Sequence, residues 1–192
     1  MGAQRPDPAP ARPDGWDYAA DFLEPGEEAA LVGQLGGLPF RRAQYKEWQA
    51  RRRIVSYGGR YDFTRNALEP APPIPPFLHA LRQRAAAWAK LPAERLGHAA
   101  VSEYPVGTPL GWHRDVHQFE HVIGISLLGS ARMRFRPYPP LPPARTVFAV
   151  ELAPRSIYVM QGAVRWHWQH AISPTRELRY SITFRSRALT GS

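Results

Sequence analysis

The chain has 192 residues, no cysteine and a formal charge of +9, from 25 Lys and Arg against 16 Asp and Glu. That length fits one domain with a buried core, and the missing cysteines exclude disulfides, thiolate metal sites and cysteine nucleophiles. No apolar run approaches the roughly 20 residues of a membrane span, and the positive balance favours a polyanionic partner, nucleic acid ahead of a membrane surface.

Residues 1–16 are rich in Pro, Ala and Asp and are expected to form a disordered tail. They lack the apolar stretch of a secretory signal, so a cytoplasmic protein is expected. Residues 17–192 are expected to be one catalytic domain. Glu24 to Leu35 reads as a capped amphipathic helix, with Leu31, Val32 and Leu35 on one face and acids in its first turn. Residues 45–66 mix arginines with aromatic rings. A second helix begins near Pro75-Pro76 and carries Phe77, Leu78, Leu81, Ala85 and Trp88 before Pro92 and Gly97 bound it. From about 96 to 187 the pattern turns to strands. Residues 98–104 form the first; 121–128 are apolar throughout, as in a strand buried on both faces. Residues 131–136 alternate, so Met133 and Phe135 point in and the arginines out. Strands over 146–152 and 156–160 follow, and 137–143 is a proline-rich loop. In the last strand Tyr180, Ile182 and Phe184 alternate with Ser181, Thr183 and Arg185. Short strands after a helical start predict an α+β, mainly β fold: a helix-flanked β-sandwich or jelly roll. No heptad or large apolar helix face demands a partner, so a monomer is expected.

His113 and Asp115 stand two apart, and on extended backbone such side chains point the same way and can grip one ion. Alone, the triplet could equally be a solvated turn with Arg114 salt-bridged to Asp115. A third ligand must come from elsewhere. His170, just before the apolar Ala171-Ile172, is the leading candidate, with His167 and His117 as rivals. Two imidazoles and one carboxylate hold non-haem Fe(II) on one face and leave the other open for co-substrate and O2. Arg179 and Arg185 would share one side of the last strand with Ser181 and Thr183. Pointing inward, such a row is costly unless an anion sits there, and Arg forks suit carboxylates. The alternative is an outward polar edge. Tyr104 adds a hydroxyl from an earlier strand.

The stretch Ser102-Glu-Tyr104-Pro-Val-Gly107, then His113-Arg-Asp115, His170, and Arg179 with Arg185, resembles the AlkB family of Fe(II)/2-oxoglutarate-dependent dioxygenases. The family pattern is Asn-x-Tyr-x-x-Gly-x5-His-x-Asp, a distal His and Arg-x5-Arg, and the likeness runs from about residue 51 to 187. It implies a double-stranded β-helix with N-terminal helices and a nucleotide-recognition lid, here about 45–66, over a core of about 96–187. It further implies Fe(II), with 2-oxoglutarate and O2 as co-substrates. The activity implied is oxidative demethylation of N-alkylated bases in DNA or RNA, releasing formaldehyde, succinate and CO2. His113, Asp115 and His170 would hold the metal. Arg179 and Tyr104 would take the distal carboxylate, Arg185 would lie nearer the iron, and Ser102 and Ser181 would line the co-substrate. The chain departs from the pattern where Ser102 and Ser181 replace Asn, and where His117 stands in place of an acid that contacts the base.

In the implied lid, Arg51 to Arg53 offer charge to phosphates, while Tyr57, Tyr61 and Phe63 offer rings to an extruded base. Tyr61 and Phe63 lead; Tyr57 reads more readily as part of a packed strand, with Gly58-Gly59 as a hinge. Arg53 and His117 complete the expected substrate contacts. Two other functions fit the same residues. One is a dioxygenase of this fold acting on a protein or small molecule; the other is a metal-free barrel that binds nucleic acid.

Overall fold

The computed structural model describes residues 12–45, 48–62, 65, 67–140, 142 and 148–188. Its strands in chain order are β1 (Trp16–Ala19), β2 (Arg41–Tyr45), β3 (Trp48–Tyr57), β4 (Arg60–Asp62), β5 (Ala67–Glu69), β6 (His98–Tyr104), β7 (Leu110–His113), β8 (Phe119–Leu128), β9 (Ala131–Pro137), β10 (Phe148–Leu152), β11 (Ile157–Met160), β12 (Trp168–Ile172) and β13 (Arg179–Arg187). Helices α1 (Pro25–Leu35) and α2 (His79–Trp88) precede the core strands, and the short α3 (Gly162–His167) interrupts them.

Seven strands form a major sheet in the order β1-β11-β8-β13-β6-β3-β2, and four form a minor sheet, β10-β9-β12-β7. All pairings are antiparallel. This is the expected jelly roll. The alternation read in the sequence sets its layers. On β13, Tyr180, Ile182 and Phe184 join Leu35, Leu78, Leu81 and Ala85 in the core beneath the helices. A second core cluster contains Met133, Phe135, Leu152, Tyr158, Met160 and Ile172. Both faces of β13 are therefore buried. Its polar face opens on a cavity, as the cost of burying arginines requires.

The helices form where expected. Pro25 sits in the first turn of α1, and Glu27 accepts the Glu24 backbone N–H at 2.9 Å, half of a capping box. A short 3-10 turn over Pro76–Leu78 leads into α2. Two expectations need correction. The tail stops short of residue 16, because Trp16 opens β1, pairs with Met160 and stacks on Tyr158 at 5.1 Å. A large ring with a buried partner holds this segment where composition alone suggested no order. Gly58-Gly59 is also not a loose hinge. Gly58 lies at φ +72°, donates its N–H to Pro72 O at 2.7 Å, and a Cβ there would meet Gly97 O at 2.0 Å. Only glycine fits that crossing.

Candidate active site

β7 and β12 run antiparallel with His113 opposite His170. That register brings the two imidazoles to 4.2 Å between ring centroids. β7 ends at His113, and Asp115 follows in the loop beyond it. The donor atoms of His113, Asp115 and His170 all lie within 4.8 Å of one another. The rivals are elsewhere: His167 ends α3, His117 sits exposed at the mouth, and neither joins the cluster.

The orientation of each donor has a cause. His113 Nδ1 donates to Gly111 O at 2.8 Å, which leaves the Nε2 lone pair for coordination. Asp115 divides its oxygens. Oδ1 accepts from Arg185 Nε and Nη2, both at 3.0 Å, and Oδ2 faces His170 Nε2 at 3.6 Å. Burial pushes the His170 imidazole down to about 3 and lowers His113 as well, so both are neutral and able to bind a metal. Burial opposes the charge of Asp115, but Arg185 and the two histidines hold its carboxyl well below the usual range. Two neutral imidazoles and one carboxylate, converging on one side, are the donor set a facial Fe(II) site needs. The cluster fits that metal.

Deeper on the same face, Arg179 is 1% exposed. Its Nε donates to Ser126 Oγ at 2.8 Å, and its guanidinium lies over the Tyr104 ring at 5.0 Å. Among the described residues no carboxylate is within ion-pair range of it. Such a charge is costly without an anion, so a dicarboxylate spanning metal and guanidinium fits. Burial resists ionisation of the Tyr104 hydroxyl, yet Arg52 and Arg179 outweigh burial and lower its pKa. Ser102, Ser181 and Ser126 are register partners across β6, β13 and β8, and these small side chains leave room beside Arg179. Arg179, Ser181, Thr183 and Arg185 thus share the cavity face, as the spacing predicted.

One cavity of about 1520 Å³ runs from the triad to β3 and β4. Tyr61 and His117 line its mouth, and Tyr57 lines it while belonging to the core. Phe63 lies outside the described residues. Arg53 is not brought to this face: it pairs with Glu103, whereas its neighbour Arg52 lines the cavity and donates to the Tyr104 hydroxyl at 3.4 Å. Strand pairing explains the choice. Ile54 sits opposite Ser102, so the alternate position Arg52 shares the inward side.

Sequence reading missed three further groups. Arg165, on α3, is buried and donates through Nη2 to Val116 O and Phe119 O, both at 2.6 Å, clamping the loop after Asp115. Ser126 anchors Arg179. His98, opposite Arg185, lines the cavity with an unpartnered Nδ1. Only the strand expected over 98–104 included His98; for Arg165 no sequence signal existed.

A family model described as the 2OG-Fe(II) oxygenase superfamily matches residues 30–185. An uncharacterised protein of Acanthamoeba polyphaga mimivirus is 27% identical over 190 residues, covering 90% of this chain and 85% of that protein. The structure of OsALKBH1 superposes with a TM-score of 0.69 at 17% identity, covering 92% of this chain and 99% of that one. A Pseudomonas putida prolyl-4-hydroxylase superposes with a TM-score of 0.56 at 18% identity, covering 91% and 93%.

Proposed function

The chain belongs to the 2OG-Fe(II) oxygenase superfamily and uses Fe(II), 2-oxoglutarate and O2; from that premise we propose that it is an AlkB-type demethylase of N-alkylated bases in DNA or RNA. The observation that carries this reading is one continuous cavity joining the triad to an arginine- and tyrosine-lined mouth. Phosphates and an extruded base need those two side-chain types. The fold shared with OsALKBH1 supports the same reading.

In this proposal His113, Asp115 and His170 would hold the metal, which would let O2 oxidise 2-oxoglutarate and the alkyl carbon together, so that succinate, CO2 and formaldehyde leave. Arg179 takes the distal carboxylate of 2-oxoglutarate through its fork, and Tyr104 adds a hydroxyl beside it. Ser102 and Ser181 shape the wall of that pocket. Arg185 holds one oxygen of Asp115 and so turns the other toward the metal. Arg165 fixes the backbone that carries Asp115. At the mouth Tyr61 stacks on the base and His117 faces its edge; Phe63 is the other ring expected from the sequence to stack. Residues 45–66 act as the lid of a single domain over 17–192.

The test is a panel of DNA and RNA oligonucleotides carrying N1-methyladenine or N3-methylcytosine, incubated with Fe(II) and 2-oxoglutarate and read by mass spectrometry. Loss of one methyl group per base with matching succinate is expected. No demethylation on any oligonucleotide, with succinate released on prolyl peptides, would replace this reading with protein hydroxylation.

A further inference from the structure

Most of the described arginines that hold a polar partner are matched to acids: Arg53 with Glu103, Arg60 and Arg65 with Glu69, Arg84 with Glu27, Arg95 with Glu120 and Arg185 with Asp115. The minor sheet breaks that rule. Arg134 and Arg136 stand two apart on β9 and share one face. Their guanidinium carbons lie over the Trp112 ring of β7, at 5.1 and 4.4 Å from its centroid. Arg136 Nε donates to Gln169 Oε1 at 2.8 Å, while Arg134 Nε has no partner. Ala171, opposite Arg134, is fully buried, and its small side chain lets the arginine and Trp112 meet over β12. Next along the rim, Arg114 lies over the Tyr138 ring at 3.9 Å and donates to Trp166 O at 3.1 Å. Among the described residues none of these three arginines has a carboxylate in ion-pair range.

Stacking on an aromatic face holds a guanidinium in place without neutralising it, and its edge N–H groups stay available to an anion. Trp112, Arg114 and Tyr138 also line the cavity, so this face continues from its mouth. We propose that Arg114, Arg134 and Arg136, ordered by Tyr138 and Trp112, form a phosphate track that holds the nucleic-acid strand as it leaves the cavity. The inference rests on the nucleic-acid reading above and names a surface that reading does not require. Unpaired charge matched to a polyanion decides the occupant: each phosphate neutralised releases counterions, which an isolated carboxylate on a folded partner does not do to the same degree.

The test is fluorescence anisotropy of a labelled single-stranded oligonucleotide titrated with the full chain over a sodium chloride series. For the double variant R134Q/R136Q, affinity should fall at least 10-fold at low salt. Its log–log salt slope should become shallower by about 1.4, at about 0.7 per phosphate on single strands. R134K/R136K should keep the wild-type slope. Arg84→Gln, a charge loss on α2, should keep both slope and affinity. Circular dichroism and melting report folding; if the glutamine pair does not fold, Arg136→Gln alone should change the slope by about 0.7. An unchanged slope in a folded glutamine variant, or an equal loss in Arg84→Gln, overturns the track and leaves the demethylase reading standing. Wild-type protein that binds oligonucleotide without salt dependence defeats both. Displacement of the oligonucleotide by poly-glutamate at equal charge would assign the face to an acidic protein instead.

Discussion

The two ends of the cavity are built by different means. At the inner end His170 hangs from β12, and Arg179 and Arg185 from β13, strands with a neighbour on each side. At the outer end β4 and β5 pair only with each other. Arg60 and Arg65, both exposed, reach Glu69 there, and such surface pairs contribute about 0–1 kcal/mol each. The metal-ligand cluster is placed by buried register, while the proposed contact with substrate falls to elements that belong to neither large sheet. A family can therefore keep one reaction and change what it acts on.

The contrast can be broken at the inner end first. His113→Ala should abolish Fe(II) binding in an anaerobic titration and reduce turnover to background, because two donors do not make a facial site. Arg179→Met should raise the KM for 2-oxoglutarate roughly 10–150-fold, from the 1.5–3 kcal/mol of a hydrogen bond to a charged group. The same variant should melt no lower without ligand, since it removes an unpaired buried charge. It should also lose the stabilisation that 2-oxoglutarate with Mn(II) gives the wild type, about 2.7 kcal/mol at 100 times Kd. A marked drop in unliganded melting temperature would show that Arg179 is structural.

At the outer end Tyr61→Ala should weaken oligonucleotide binding roughly 5–150-fold, the worth of one stacked base, with 2-oxoglutarate affinity kept. Tyr104→Phe tests a finer point: loss of one hydroxyl should raise the KM for 2-oxoglutarate only about 2–12-fold. The smallest effect concerns pH. Burial pushes His98 down to about 3, so between there and its ordinary value near 6.5 the unfolded chain takes a proton that the folded one refuses. Stability from His98 is thus complete above about pH 6.5 and is lost on acidification toward 3. His98→Gln should flatten the fall of melting temperature between pH 7 and 5, by at most about 1.4 kcal/mol per pH unit.

The legibility of the chain follows the same division. β8 could be read as an apolar run, and β9 and β13 from their alternation, which left Arg179 and Arg185 on the face opposite Tyr180, Ile182 and Phe184; His113 and Asp115 were legible only as a two-residue spacing. The apolar Ala171-Ile172 put His170 ahead of His167, but its place opposite His113 rests on the register with β7, which no local pattern carries. Arg53 was preferred to Arg52 for the same reason: three consecutive arginines give no alternation until Ile54 is known to face Ser102. Trp16 was misjudged because the Pro-rich composition around it outweighed one ring whose partner, Tyr158, lies far along the chain.

β13 lies at the centre of the major sheet, between β8 and β6, yet every other described strand precedes it in the chain. β1 is the reverse case, made first and held only by β11. On a ribosome the sheet must wait for its middle, with β6 and β8 presenting unpaired edges until Arg179 to Arg187 emerge. Ordering is then a late step dominated by contacts between distant segments, which favours slow folding. Arg179 and Arg185, which line the cavity, arrive with the strand that closes the sheet, so a nascent chain has no pocket to fill before it has a fold to protect it.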